Sequence, residues 1–128
     1  MTKNHIDPDH YKQYPVECIE IIELMTNPLL ANAVKYVWRL GEKDSPAQEK
    51  AKALWYFNRY RASEYANATE PLIPIRVHHI LEGRLKELRK HMPKERLNII
   101  ARLVDLNYRS KTNNRILLEH TKKLLEAM

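Results

Sequence analysis

The chain has 128 residues, of which 44% are hydrophobic and 30% are charged, an ordinary balance for one globular domain. One cysteine and two glycines exclude a disulfide-stapled scaffold and a glycine-rich linker. No apolar run is long enough for a membrane span, and the polar start is unlike a signal peptide. We therefore expect a cytoplasmic protein that does not contact a membrane.

The net charge of +6 lies wholly in the second half of the chain. Residues 1–64 hold nine basic and nine acidic residues, whereas residues 65–128 hold thirteen and seven. A basic half favours a polyanionic partner such as nucleic acid, although many helical proteins carry such an excess without one. DNA binding therefore stays open as one interpretation.

Proline and capping residues divide the chain into helices, and no strand is predicted. Pro28 and Pro46 fit the first helical turn, where a missing N–H is tolerated, and they follow the N-cap residues Asn27 and Ser45. Gly41 indicates the end of the second helix. The sequence predicts an all-α, compact bundle of about six helices. They span residues 15–25, 28–40, 46–65, 75–91, 93–108 and 113–127.

A proline-containing stretch separates the two predicted regions. Residues 1–66 form the first helical region and residues 67–128 a helical extension, and the boundary NATEPLIPI (67–75) contains two prolines. Segment 97–106 is apolar on nearly every side, and the last helix has an apolar seam at heptad-like spacing. This surface could pack on the first half or pair with another chain. We predict a homo-oligomer.

A cationic face is predicted on the second helix. Asn32, Lys35 and Arg39 lie within about 60° of one another, opposite the apolar arc, and Tyr36 lies at their edge. Arginine and lysine bind phosphate oxygens, while an amide and an aromatic ring suit a nucleobase. This face is therefore a candidate nucleotide site.

The third helix repeats the combination of cationic and aromatic residues. Lys52, Tyr56 and Arg59 line up on one side. The predicted apolar residues are Ala47, Ala51, Leu54 and Ala62. Together, the second and third helices hold the groups that a nucleotide requires.

The acidic side of the first helix offers two other interpretations. Glu17, Glu20 and Glu23 could pair with these cations between packed helices, which would make the face structural. The same ExxExxE run also resembles half of the carboxylate site in all-helical nucleotide pyrophosphohydrolases. The second acidic pair that would complete a Mg²⁺ site is absent from the following helix. We predict no metal and no cofactor.

No catalytic group is evident from the residue pattern. Two glycines cannot form a glycine-rich phosphate loop, and Cys18 lies on the apolar side of its helix. His78 and His79 are adjacent, so on a helix they do not form a chelating pair. We predict no catalytic residue.

Three stretches of residues 5–60 occur in a recognisable order. HIDPDHYKQYPVECIEIIE contains the pair His10 and Tyr11, NAVKYVWRLGEKD contains an Asn-Ala-x-Lys-Tyr-x-x-Arg run, and KAKALWYFNRY contains Lys50, Trp55 and Tyr56. In this order the chain resembles a phage nucleotide kinase-like domain of unknown function. The resemblance implies a bacteriophage protein in the host bacterial cytoplasm and a nucleotide ligand. One branch of the family is described as phosphorylating deoxynucleoside monophosphates without a phosphate loop.

We therefore predict a phage nucleotide-binding protein that sequesters a nucleotide, such as a second messenger of host antiviral defence, without turnover. One alternative is a nucleoside monophosphate kinase, in which Lys35 and Arg39 stabilise the transferring phosphoryl group and His10 acts as the base. Another is a DNA-binding accessory protein that uses the basic second half. The predicted ligand-binding residues are His10, Tyr11, Asn32, Lys35, Tyr36, Arg39, Lys43, Lys52 and Tyr56.

Overall fold

The computed structural model describes residues 14–42, 44–63, 75–108 and 114–128. Within these ranges the protein is all-α, with six helices and no strand, which confirms the predicted fold class. None of the described helices is long and apolar enough to cross a membrane. The helices are α1 (Cys18–Ile22), α2 (Pro28–Trp38), α3 (Pro46–Ala62), α4 (Ile75–Leu88), α5 (Lys94–Tyr108) and α6 (Asn114–Glu126).

Side-chain caps start α2 and α3 where the sequence predicts. The Asn27 Oδ1 atom accepts hydrogen bonds from the backbone N–H groups of Leu29 (2.9 Å) and Leu30 (3.2 Å). Ser45 Oγ accepts from the Gln48 N–H, and Gln48 Oε1 accepts from the Ser45 N–H, both at 3.2 Å. These bonds satisfy N–H groups that have no partner within the helix.

The first helix, α1, is shorter than predicted, and its glutamates have local roles. Glu17 is the N-cap, and Glu20 Oε2 accepts a hydrogen bond from the Glu17 N–H at 2.7 Å. Glu23 ends the helix and lies 3.3 Å from Arg84 Nη1 of α4. The interpretation that these three glutamates neutralise the cations of α2 and α3 is therefore wrong.

The core lies around α2, which packs against α1, α3 and α5. The second half of the chain packs on the first, because α6 contacts α3 and α4 contacts α1. The large apolar residues of the segment predicted at 97–106 are buried as expected, whereas Asn98 is exposed. The buried apolar residues of α2 and α5 are Leu30, Ala33, Val34, Val37 and Trp38, and Leu97, Ile99, Ile100, Leu103, Val104 and Leu106.

The buried side of α3 differs from the one predicted. Phe57 and Tyr60 are buried on the same face as Glu49, whereas Ala47 and Ala51 are exposed. Aromatic side chains remove far more apolar surface from water than alanines do, so they decide which face of the helix is buried. The rotation of α3 brings Glu49 into the interior.

Candidate functional site

Three aromatic side chains form a continuous surface where α2 meets α3. The rings of Tyr36 and Tyr56 stack with centroids 5.6 Å apart and planes 15° apart. The Trp55 ring contacts Tyr56 edge-on, at 4.9 Å and 81°. Trp55 is 59% exposed, while both tyrosines are half-buried. We call these three residues the aromatic platform, and its outer end is open to solvent.

Three cations surround the Tyr36 ring. Lys35 Nζ lies 5.9 Å from the ring centroid, and Arg39 Cζ and Lys52 Nζ each lie 5.4 Å from it. These distances are within the range of cation–π attraction. The fold therefore brings together the predicted residues Lys35, Tyr36, Arg39, Lys52 and Tyr56.

Two carboxylates that the sequence analysis missed neutralise part of this charge. Asp44 Oδ2 lies 2.9 Å from Lys52 Nζ and 3.9 Å from Arg39 Nη2. Glu49 Oε1 lies 3.6 Å from Arg39 Nη2. Glu49 stands in the first turn of α3, where an acidic side chain is favourable. The position of Glu49 in this first turn, shortly after the turn at Gly41, could have indicated from the sequence that it lies near the end of α2.

Arg39 is not on an open face, contrary to the prediction. Its side chain is 7% exposed and that of Glu49 is 0% exposed. A charge is tolerated in the interior only when a counter-charge accompanies it, and α3 supplies this one. Arg39 Nε and Glu49 Oε2 have no hydrogen-bond partner in the part of the chain that the structure describes. Arg39 therefore joins α2 to α3, and its guanidinium faces the platform from within.

Lys35 and Asn32 are the outer polar residues of α2. The Lys35 ammonium group forms neither a hydrogen bond nor an ion pair with any described residue. The Asn32 amide donates a hydrogen bond to the Pro28 carbonyl at 2.9 Å and lies one turn before Tyr36. Lys35 is therefore the cation of the cluster whose charge is least compensated.

Asp44 and Lys52 hold each other in the ionised form. The hydrogen bond from Lys52 lowers the pKa of Asp44, and the same bond raises the pKa of Lys52. Their side chains are 33% and 44% exposed, so both atoms of this pair can be reached by solvent. The pair forms the outer electrostatic boundary of the platform.

The other predicted site residues, His10, Tyr11 and Lys43, lie outside the described residues. Trp55 belongs to the platform but was not among the predicted site residues. Its position next to Tyr56, on a helix surface that also carries Lys52, could have indicated from the sequence that Trp55 belongs to the site. Among the described residues, no group of three or more His, Cys, Asp or Glu side chains could hold a metal ion.

The profile of a family described as a protein of unknown function, DUF3310, matches residues 6–58. This segment, somewhat less than half of the chain, contains α1, α2 and most of α3. All nine predicted site residues fall inside it, as do Trp55, Asp44 and Glu49. No curated protein and no solved structure matches the chain.

Proposed function

We propose that this protein binds a nucleotide on the aromatic platform and sequesters it without turnover. The observation that carries the proposal is the exposed aromatic platform with three cations around its Tyr36 ring. From the resemblance of residues 5–60 we further propose that this is a phage protein and that it acts in the host bacterial cytoplasm. Assembly into a homo-oligomer belongs to the same proposal.

The exposed end of the platform suits a nucleobase. Every base has a flat π-face, and stacking on an aromatic side chain contributes about 1–3 kcal/mol per base. Trp55 offers its indole to solvent and is supported edge-on by Tyr56. We therefore assign the base to Trp55.

The phosphate is assigned to the lysines at the other end of the platform. No described residue forms an ion pair with the Lys35 ammonium group, and Lys52 is accessible although it is paired with Asp44. Charge-assisted hydrogen bonds to phosphate oxygens are about twice as strong as neutral ones. Arg39 contributes positive potential from the interior, because its guanidinium is held by Glu49.

The intrinsic fluorescence of Trp55 provides a direct test. The chain has two tryptophans, and Trp38 is only 1% exposed, so a stacking ligand quenches Trp55 selectively. The purified protein is titrated with linear and cyclic nucleotides, with and without ATP and Mg²⁺. The bound material is then released by denaturation and identified by chromatography. Release of an unaltered ligand is the expected result.

Each other outcome of this experiment has a defined meaning. A phosphorylated or cleaved product would show that the protein is an enzyme and would contradict sequestration without turnover. A phosphorylated product would favour the kinase alternative. Duplex DNA is titrated in parallel. Binding of the duplex but not of nucleotides, with an affinity that falls steeply as salt rises, would favour the DNA-binding alternative. Absence of any quenching would contradict nucleotide binding on the platform.

Two substitutions and one matched control connect the binding to this surface. Trp55→Ala and Lys35→Ala should each weaken binding by about tenfold, the loss of one stacking or charge-assisted contact. Lys35 is the basic residue in the last turn of α2, and Lys86 is the basic residue in the last turn of α4. Lys86→Ala removes the same charge from the last turn of another helix and should leave the affinity unchanged.

A further inference from the structure

The charges around the Tyr36 ring are nearly balanced, which limits the kind of nucleotide that this surface accepts. Among the residues that the structure describes, three cations lie around the ring, and two carboxylates compensate two of them. One positive charge of this described set, at Lys35, is left over. A ligand with several phosphate charges would exceed the positive charge that the surface offers.

The two carboxylates differ in whether a ligand meets them. Glu49 is fully buried, and its carboxylate forms an ion pair with Arg39. Asp44 is one-third exposed, and its Oδ2 atom is 2.9 Å from Lys52 Nζ. A phosphate oxygen that approaches Lys52 therefore competes with Asp44 for the same ammonium group. Two negative charges side by side repel each other strongly near a protein surface.

We propose that Asp44 is the specificity-determining residue of this surface and that its ligand is a nucleotide phosphodiester with a single negative charge. This inference rests on the proposed function. The Asp44 carboxylate already neutralises the Lys52 ammonium group. Lys35 therefore binds one phosphate charge, and the Asp44 carboxylate repels each further charge of the ligand. Nucleoside triphosphates are therefore bound more weakly than singly charged phosphodiesters.

Three adenine nucleotides test this inference while keeping the stacked base constant. Cyclic 3′,5′-AMP, AMP and ATP carry about one, two and four negative charges near neutral pH. Their dissociation constants are measured by Trp55 quenching at low ionic strength, where charge effects are not screened. The wild-type protein should bind cyclic AMP tightest and ATP weakest.

Asp44→Asn removes the charge and keeps a hydrogen-bond acceptor for Lys52. It should raise the affinity for ATP by about tenfold more than that for cyclic AMP, because repulsion grows with ligand charge. Asp105→Asn is the matched control, since Asp105 is 37% exposed and lies 3.8 Å from Arg102 Nη1 on α5. It should leave the order of affinities unchanged. Asp44→Ser removes the same charge and serves if Asp44→Asn is poorly folded by circular dichroism.

The possible results separate this inference from the proposed function. Equal effects of Asp44→Asn on all three ligands, or weaker binding of all three, would overturn the role of Asp44 while leaving nucleotide binding intact. Wild-type preference for ATP would overturn the assignment of a singly charged ligand. Absence of binding by every nucleotide, in wild type and variant alike, would overturn the proposed function itself.

Discussion

Arg39 at the end of α2 and Glu49 in the first turn of α3 form an ion pair in the protein interior. Arg39 Nη2 lies 3.6 Å from Glu49 Oε1, and the two side chains are 7% and 0% exposed. The pair joins the two helices that carry the aromatic platform, and it holds the Arg39 guanidinium 5.4 Å from the Tyr36 ring centroid. The arrangement of the candidate site therefore depends on a contact that is itself part of the core.

Arg39→Ala should lower the free energy of unfolding by about 3–5 kcal/mol, because it leaves the Glu49 carboxylate buried without a counter-charge. The double variant Arg39→Met, Glu49→Leu should recover most of this loss, since it removes both charges and keeps the volume. Urea denaturation measures both. Arg89→Ala, at an exposed position after α4, is the control and should change stability by less than about 0.5 kcal/mol.

A change of less than about 1 kcal/mol for Arg39→Ala would show that the pair is not a structural element of the core. If the expected loss is found, weak nucleotide binding by this variant says nothing about a direct contact with the ligand. Lys35 and Trp55 are the better residues for testing the binding surface.

The two glycines of the chain should respond in opposite directions to alanine. Gly41 has a φ of 79°, a left-handed conformation that costs an alanine about 1–2 kcal/mol, although its added Cβ would meet only Pro46 Cγ at 3.7 Å. Gly83 lies inside α4, where an added Cβ meets nothing within 4 Å, so Gly83→Ala should stabilise the protein by about 0.5–1 kcal/mol. Thermal and urea unfolding of both variants check this. Equal effects of the same sign would refute it.

Asn107 of α5 fixes the start of α2, and its loss should be costly. Its Oδ1 atom accepts hydrogen bonds from the backbone N–H groups of Thr26 (3.1 Å) and Asn27 (2.8 Å). Asn107→Ala should lower the free energy of unfolding by about 3 kcal/mol, because these donors then lose their partner in a largely buried place. Asn98→Ala, at an exposed position on the same helix, is the control and should have little effect. Similar urea midpoints for both variants would contradict this role.

The thiol of Cys18 should be unreactive in the folded protein. Burial raises the pKa of Cys18 to about 12, so the thiolate that attacks disulfide reagents is scarce at pH 8. We expect its reaction with a chromogenic disulfide reagent to be about 100-fold or more faster in concentrated urea than in buffer. Equal rates in the two solvents would show that Cys18 is not protected by the fold.

The same raised pKa predicts how stability depends on pH. The thiol has a pKa of about 8.5 in the unfolded protein. Below that pH the raised pKa makes its full contribution to the free energy of unfolding. The contribution is lost as pH rises from there towards about 12, the value in the folded protein. The difference in unfolding free energy between wild type and Cys18→Ser, measured by urea titration, should therefore shrink over this interval. A difference that is independent of pH would contradict the prediction.

Local pattern was enough to predict the helices and much of the core. The caps at Asn27 and Ser45 follow from hydrogen bonds between residues two or three positions apart. The apolar faces of α2 and α5 follow from apolar residues close together along the same helix. Such interactions are encoded within one helix, so the sequence determines them without knowledge of the neighbours. The cluster of Lys35, Tyr36, Lys52 and Tyr56 was predictable for the same reason, once two adjacent helices were expected to pack. The nucleotide ligand and the oligomer remain predictions.

Only the tertiary structure decided which charges are buried and which carboxylates they meet. The alanines of α3 suggested one buried face. In the structure the buried face is the one that carries Phe57 and Tyr60, and Glu49 on this face is paired with Arg39. The contact of Asn107 with Thr26 joins residues 81 positions apart, and no local periodicity encodes it. The physical reason is that the cost of burying a charge or an N–H group depends on partners from other helices. Those partners are known only when the helices are packed.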